Sequence, residues 1–145
     1  MSIALLSPDG QVYVFGDNSF GQLGTGDVDT CWEFRQIDCP GLVLLSSGST
    51  HTVGVLSDGT ICGTGNNSSG QLGTACGKEG TTIMKPIRGI QNITCVATGF
   101  GFTILLDSLG CVSLLGKMNE GTKYTSPKKM TGLANVHRIS AGTGH

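Results

Sequence analysis

The sequence is poor in charged residues, in aromatic residues and in proline. Asp, Glu, Lys and Arg make up 13% of the 145 residues, aromatic residues make up 6%, and only four residues are proline. Because hydrophobic residues still account for 38%, an intrinsically disordered chain, which is rich in charge and poor in apolar side chains, is excluded. Four prolines are also far too few for a collagen-like repeat.

The sequence also lacks a long apolar run and a basic leader. No stretch approaches the roughly 18 apolar residues that a membrane helix requires. The first nine residues, MSIALLSPD, contain no basic region before their short apolar stretch, so they do not resemble a signal peptide. We therefore expect a cytoplasmic or nuclear protein with no membrane partner.

Cysteine is present six times, but no two cysteines have the C-x-x-C spacing that places two thiolates on one zinc ion. Without an export signal, the thiols are expected to stay reduced. Cys62, Cys95 and Cys111 lie in apolar runs typical of strands, where a thiol serves as a small hydrophobic group. We expect the cysteines to be buried and unreactive.

Glycine, by contrast, is abundant, with 24 residues. Each glycine inside a helix costs roughly 1 kcal/mol relative to alanine, so a long helical bundle is excluded. The composition predicts a globular protein that is rich in strands and tight turns.

The glycines recur in a repeated pattern. Residues 12–24, VYVFGDNSFGQLG, match residues 61–73, ICGTGNNSSGQLG, and an Asp-Gly dipeptide precedes both copies. Residues 111–116, CVSLLG, begin a third copy, in which GTKY at 121–124 replaces Gly-Gln-Leu-Gly. A second motif of four residues, which we call the landmark, recurs as GSTH, GFGF and GTGH, and these copies end at His51, Phe102 and His145.

Each repeat contains several short apolar runs. Thr52–Ser57 and Thr60–Thr64 are predicted strands joined at Asp58-Gly59, a dipeptide that favours a tight hairpin. Ile93–Ala97 and Thr103–Asp107 form a second predicted pair. Four short strands in a repeat of about 50 residues predict the blade of a β-propeller.

The pattern resembles the regulator of chromosome condensation repeat family. Residues 15–18, FGDN, and 21–26, GQLGTG, carry the resemblance together with the Gly-x-x-His landmark. It implies an all-β fold, with about three four-stranded blades of an incomplete, seven-bladed β-propeller ring. We divide residues 1–145 into units of about 1–50, 51–101 and 102–145, of which the third is degenerate and truncated. Three blades cannot close a ring, so we expect remaining blades or another chain to cover the open edges.

No motif points to catalysis, and we expect no enzyme activity, cofactor or metal site. Residues 73–79, GTACGKE, do not form a phosphate-binding loop, because Glu79 stands where magnesium requires Ser or Thr. His51 and His145 occupy the repeated landmark, where packing or a hydrogen bond to the blade is expected.

Two clusters are candidate partner-binding residues, and both also have a simple structural explanation. A variable loop carries two acids and the single tryptophan, which could instead pack back on its own blade. The third unit carries basic residues that could instead form a solvated face. Residues 1–60 hold seven acids against one base, whereas residues 61–145 hold eight bases against three acids. The candidates are Asp27, Asp29 and Trp32 in the loop, and Lys117, Lys123, Tyr124, Lys128 and Lys129 in the third unit.

The resemblance implies protein partners, since the family includes regulators of small GTPases, ubiquitin-ligase adaptors and light sensors. Light sensing in the family relies on many tryptophans, and this chain has one. We expect a non-catalytic protein-interaction scaffold that binds partners through inter-strand loops. The alternative is a guanine-nucleotide exchange factor, or part of one, for a Ran-type small GTPase with chromatin association. A third hypothesis is direct binding of nucleic acid by the basic residues of the third unit.

Overall fold

The computed structural model describes residues 1–142, which form eleven β-strands and no helix. The strands pair antiparallel in three sheets: β1-β2-β3, β4-β5-β6-β7 and β8-β9-β10-β11. Their bounds are β1 Ser2–Leu6, β2 Val12–Gly16, β3 Cys31–Ile37, β4 Leu42–Ser47, β5 His51–Leu56, β6 Ile61–Gly65, β7 Thr81–Ile87, β8 Ile93–Thr98, β9 Phe102–Asp107, β10 Val112–Gly116 and β11 Tyr124–Lys129. The landmark histidine His145 lies outside the described residues.

The predicted strand pairs are confirmed. The first pair forms β5 and β6, whose hairpin turns at Gly59 with a φ of 80°. The second pair forms β8 and β9. The predicted bounds differ from the observed ones by about one residue at several ends, since pairing, rather than apolar content, decides where a strand stops.

The sheets begin one strand earlier than the sequence repeat. β4 lies in the first repeat unit but pairs with β5 of the second, and β8 lies in the second unit but pairs with β9 of the third. Each repeat therefore donates the first strand of the following sheet, which ties neighbouring sheets together. In the described part of the chain, the first sheet has no counterpart of β4 and β8.

Apolar side chains between the sheets form two core clusters. Val12 and Val14 of the first sheet pack with Cys62 of the second, and Ile61 of the second packs with Leu105 of the third. Burying one such side chain contributes roughly 1.5–3 kcal/mol. The sheets are therefore stacked face to face, as in the blades of a propeller.

The glycine that ends the second strand of each repeat allows a close backbone approach. Gly65 has a φ of 105°, and a Cβ there would lie 2.4 Å from the carbonyl oxygen of Thr50. Gly16 and Gly116 occupy the same position in their sheets and have the same kind of contact. This backbone contact explains why the glycine recurs at a fixed place in the repeat.

Candidate functional site

We call the segment around the Gly-Gln-Leu-Gly motif, at residues 21–24 in the first repeat and 70–73 in the second, the corner of its repeat. The corner of the first repeat is stabilised by its own polar side chains. Buried Asn18 accepts a hydrogen bond from the backbone N–H of Leu23 at 2.9 Å and donates to the hydroxyl of Thr25 at 2.9 Å. The Gln22 carbonyl oxygen accepts from the N–H of Phe20 at 2.9 Å. These amides fold the corner and are not available to a ligand.

The second corner has the same arrangement. Asn67 accepts from the N–H of Leu72 at 2.8 Å and donates to the carbonyl of Gly73 at 2.7 Å. Gln71 accepts from the N–H of Ser69 at 3.0 Å. The repeated Asn and Gln residues therefore have a structural role in both corners.

The landmark histidine His51 is fully buried. Its Nε2 lies 2.9 Å from the hydroxyl of Thr103 in the third sheet, and burial lowers its pKa to about 4. The neutral ring connects two sheets, which supports the expected packing role. Phe102, its counterpart in the third repeat, is also buried and fills the position with a ring that needs no partner.

The two candidate acids of the first repeat have different roles. The Asp27 carboxylate accepts hydrogen bonds from the hydroxyl of Thr25 at 2.8 Å and from the N–H of Asp29 at 3.1 Å. It also forms an ion pair with Arg35 at 3.2 Å. These bonds, with that of Thr25 the largest, lower the pKa of Asp27. Asp27 thus orders the loop, whereas Asp29 is exposed.

A groove lined by both apolar and polar side chains runs along the outer rim between the first and second sheets. Phe20, Val28 and Ile83 line it and expose 49%, 54% and 48% of their surface. The loop that carries Val28 is attached to β7 by the N–H of Gly26, which donates to the carbonyl of Thr82 at 2.8 Å. We call this feature the rim groove; its volume is about 530 Å³.

The sequence interpretation missed the rim groove because its residues come from two repeats. Phe20 stands where the second corner has Ser69, and this exposed apolar replacement is the one signal that the sequence offered. Val28 lies between Asp27 and Asp29, so the predicted acidic loop forms one wall of the groove.

Trp32 lies in strand β3 and not in the predicted loop. It is 80% exposed, so it does not pack back on its own blade. Its neighbour Phe34 is 55% exposed and contacts the ring of Phe15 with a centroid distance of 5.4 Å. Two large aromatic side chains therefore stand on the outer strand of the first sheet.

The candidate basic residues do not form one continuous patch. The ammonium of Lys123 donates to the carbonyl of Ser68 at 2.7 Å and thereby connects the third sheet to the second corner. Lys128 and Lys129 are successive residues of β11, so their side chains project to opposite faces of the sheet. Tyr124 is half-buried at the start of β11, and Lys117 is exposed after β10.

Within residues 1–142, no three His, Cys, Asp or Glu side chains are grouped so that they could hold a metal ion. The described residues likewise contain no helix of the length and apolarity needed to cross a membrane.

Comparison with known proteins agrees with this architecture. Two models of the regulator of chromosome condensation (RCC1) repeat match residues 9–55 and 43–71. The regulator of chromosome condensation of Xenopus laevis is 29% identical over 97% of this chain and 37% of its own length. The secretion-regulating guanine nucleotide exchange factor of Mus musculus is 34% identical over 72% of this chain and 24% of its own length.

Solved structures show the same fold. Prp20p of Saccharomyces cerevisiae, whose crystal structure is described with its binding properties to Gsp1p and histones, superposes with a TM-score of 0.79 at 14% identity. That match covers 98% of this chain and 40% of the other. Yeast RCC1 (Prp20) bound to Kap60 superposes with a TM-score of 0.83 at 19% identity, over 98% and 38% of the two chains.

The stacked antiparallel sheets and these superpositions define the chain as part of a β-propeller, and the predicted fold class is confirmed. The chain belongs to the regulator of chromosome condensation repeat family. It spans well under half the length of the relatives that it matches.

Proposed function

We propose that this chain is a non-catalytic scaffold that binds other proteins, and that the rim groove is one binding surface. The observation that carries the proposal is that the repeated polar side chains of this chain and its exposed apolar side chains have different roles. The repeated polar residues, such as Asn18, Asn67 and His51, are used in internal hydrogen bonds. Several large side chains that remain exposed, such as Phe20, Val28 and Ile83, belong to loops and to the outer strand β7, and loops are where folds of this kind carry function.

The chemistry of the rim groove suits a protein partner. Phe20, Val28 and Ile83 give the groove apolar surface, and Glu79 and Lys85 give it one charged group of each sign. Protein interfaces combine apolar contact area with polar and charged groups in this way. Asp29 is exposed next to Val28 in the sequence, and the exposed Lys117, Lys128 and Lys129 are further candidate contacts on the third sheet.

A guanine-nucleotide exchange factor for a Ran-type GTPase is the second candidate function. It is favoured by the name of the Mus musculus relative and by the described binding of Prp20p to Gsp1p. The histones named with Prp20p, and chromosome condensation in the name of the Xenopus laevis relative, support a nuclear location and chromatin association. Cytoplasmic action and direct nucleic-acid binding remain predictions.

Site-specific photo-crosslinking tests whether the rim groove of this chain binds another protein. A benzophenone amino acid replaces Phe20 or Ile83 in the groove, and the same label at Leu109, which is 81% exposed in the turn before β10, serves as the control. We expect cells that express the labelled chain to yield a defined protein adduct from the groove positions and none from position 109.

Identical adducts from all three positions, or no adduct from the groove, would contradict the proposed binding surface. As a matched loss-of-function variant, Phe20→Ser restores the residue type that Ser69 has in the second corner. It should leave the fold intact and remove the adduct formed at position 83.

A further inference from the structure

Two buried thiols from distant parts of the sequence meet where the chain passes from the first sheet to the second. Cys39 lies in residues 38–41, the connection between β3 and β4, and Cys62 lies in β6. Their Sγ atoms are 3.7 Å apart. A disulfide bond is about 2.05 Å long, so the two sulfur atoms need to approach by less than about 2 Å to form one. We call Cys39 and Cys62 the thiol pair.

A glycine inside strand β5 leaves room beside the thiol pair. Gly54 is the register partner of Cys62, and a Cβ built on it would lie 3.4 Å from the Sγ of Cys62 and would collide with Cδ1 of Leu42. A glycine inside a strand weakens the strand and often marks the close approach of another group. Here the missing side chain makes space for the Cys62 sulfur and for Leu42, which directly follows the connection that carries Cys39.

The third sheet has no thiol at either equivalent position. Cys62 and Ser113 are each the second residue of their strand, in β6 and β10. Cys39 and Ile90 each stand three residues before the strand that begins the next sheet. Ile90 is also buried, and it lines one cavity together with Ser113. The same packing is therefore achieved without sulfur, so the fold itself does not require the thiol pair.

The contact between the two thiols makes one of them acidic. The S–H of Cys62 donates to the sulfur of Cys39 and lowers the pKa of Cys39 to about 7, although burial and the neighbouring Asp38 oppose this shift. The pKa of Cys62 is raised, so Cys62 keeps its proton. Because the thiolate is the nucleophilic form of cysteine, Cys39 is the member of the pair that an oxidant attacks first.

Cys39 is also the more accessible thiol. It is 9% exposed and lies between the exposed residues Asp38 and Pro40, whereas Cys62 is 4% exposed between β5 and β7. Hydrogen peroxide is nearly as small as water and can reach such a sulfur, whereas a large aromatic reagent cannot. Since residues 38–41 lie outside the strands, Cys39 can approach Cys62 without breaking a strand pair.

We propose that Cys39 and Cys62 are a peroxide-sensitive site that forms a reversible disulfide. The Cys39 thiolate attacks one oxygen of hydrogen peroxide and the O–O bond breaks, which gives Cys39 sulfenic acid and hydroxide. The hydroxide takes up the proton that Cys39 lost on ionisation. The Cys62 sulfur then attacks the sulfenic sulfur and the S–O bond breaks, so that the hydroxyl group leaves with the Cys62 proton as water. Two thiols are thereby oxidised, and one peroxide is reduced to two waters.

The disulfide would join β6 to the connection through which the chain enters the same sheet. Cross-linking these two points restricts the unfolded chain, so the oxidised protein should be the more stable form. A small thiol such as glutathione reverses the reaction by thiol–disulfide exchange and is itself oxidised to its disulfide. In a reducing compartment the site would therefore respond to peroxide only transiently.

Peptide mapping of the purified chain after brief treatment with hydrogen peroxide tests the proposal. The peroxide is destroyed with catalase, the chain is unfolded, and free thiols are blocked with N-ethylmaleimide before digestion. We expect four blocked thiols instead of six, and one pair of peptides joined through Cys39 and Cys62. Dithiothreitol should restore all six. The oxidised chain should melt about 5–10 °C above the reduced one.

Two variants with the residues of the third sheet separate the two steps. Cys62→Ser should stop the reaction at Cys39 sulfenic acid, which dimedone traps as a stable adduct. Cys39→Ile should give neither the disulfide nor an adduct at position 62. Cys95→Ser, which removes a partly exposed thiol elsewhere, should leave the disulfide unchanged. Circular dichroism of each variant establishes that it is folded.

Three results would overturn the proposal. The first is a thiol pair that stays reduced at a peroxide concentration that oxidises Cys95 and Cys111. The second is a disulfide that forms only when peroxide is added to the unfolded chain, because the folded contact would then have no part in it. The third is a dimedone adduct at position 62 in Cys39→Ile, since Cys62 would then react without its partner.

Discussion

The imidazole Nε2 of His51 lies 2.9 Å from the hydroxyl oxygen of Thr103, although the two residues belong to different sheets. The Thr103 hydroxyl donates to the carbonyl of Gln71 at 2.8 Å, so the histidine is the donor in the shared contact. Three residues therefore connect the second sheet, its corner and the third sheet through buried polar contacts. Replacing Thr103 by an apolar residue would leave both the Nε2–H of His51 and the carbonyl of Gln71 without this partner.

His51 should make the stability of the fold depend on pH. Burial lowers its pKa from 6.5 in the unfolded chain to about 4 in the folded one. Between these values the unfolded state binds more protons, so stability is complete above about pH 6.5 and is lost as the pH falls towards 4. Urea unfolding at pH 7 and pH 5 should show a loss of about 2 kcal/mol from this residue.

His51→Phe provides the matched test, because Phe102 occupies the equivalent position in the third sheet. The substitution should flatten the dependence of unfolding free energy on pH between 5 and 7. His137→Phe at an exposed site should not. An unchanged slope in His51→Phe would show that other groups cause it.

Asn67→Ala should destabilise the fold strongly. The side chain accepts from the N–H of Leu72 and donates to the carbonyls of Gly73 and Gly77, and the bonds to Leu72 and Gly73 are buried. We expect a loss of about 2–3 kcal/mol in unfolding free energy, since buried backbone groups lose their partners. The neighbouring control Asn66→Ala removes one exposed bond and should cost under about 1 kcal/mol. Equal losses would contradict a structural role for the corner amide.

Gly65→Ala should be more costly than the same change at another glycine with a positive φ. A Cβ at Gly65 meets the Thr50 carbonyl oxygen at 2.4 Å, whereas one at Gly89 meets nothing within 4 Å. Both substitutions bear the strain of a left-handed backbone, about 1–2 kcal/mol. Thermal unfolding should show an additional loss of about 2 kcal/mol or more at Gly65, because the backbone must shift. Matching melting temperatures would refute this close approach.

The six thiols should react at two rates. Cys95 and Cys111 are partly exposed, whereas the other four are buried. Cys39 and Cys62 lie 3.7 Å apart, and the thiol of Cys62 lowers the pKa of Cys39 to about 7 while its own pKa is raised. With a colorimetric disulfide reagent, we expect two rapid reactions in the folded chain and six after denaturation. A third rapid thiol that disappears in Cys39→Ser would mean that burial does not protect the pair.

The fold could be predicted because the residues that determine it are local and repeated. Asp58-Gly59 defines a hairpin, and Gly16, Gly65 and Gly116 stand where a Cβ would collide with a neighbouring backbone carbonyl. The sheet to which each repeat's last strand belongs could not be predicted in the same way. β4 and β8 resemble strands of their own repeat, and only long-range pairing places them in the next sheet.

The candidate site was less accessible to prediction from the sequence. The acidic loop was recognised, but the rim groove also requires Ile83, which lies 55 residues after Val28 and reaches it only through sheet stacking. Lys123 is a candidate partner-binding residue by sequence, and the sequence does not show its contact with the carbonyl of Ser68. Strand register also pairs Gly16 with Cys31, Gly65 with Thr81 and Gly116 with Tyr124, a correspondence that the sequence hides because the loops between these residues differ in length.

The release of fluorescent GDP from a Ran-type GTPase tests most directly whether this chain is a scaffold without catalytic activity. The purified chain is added in excess, and the release rate is compared with spontaneous release and with release by EDTA. We predict a rate equal to the spontaneous one. An acceleration of about tenfold or more that Phe20→Ser abolishes would contradict the scaffold and establish nucleotide exchange through the rim groove.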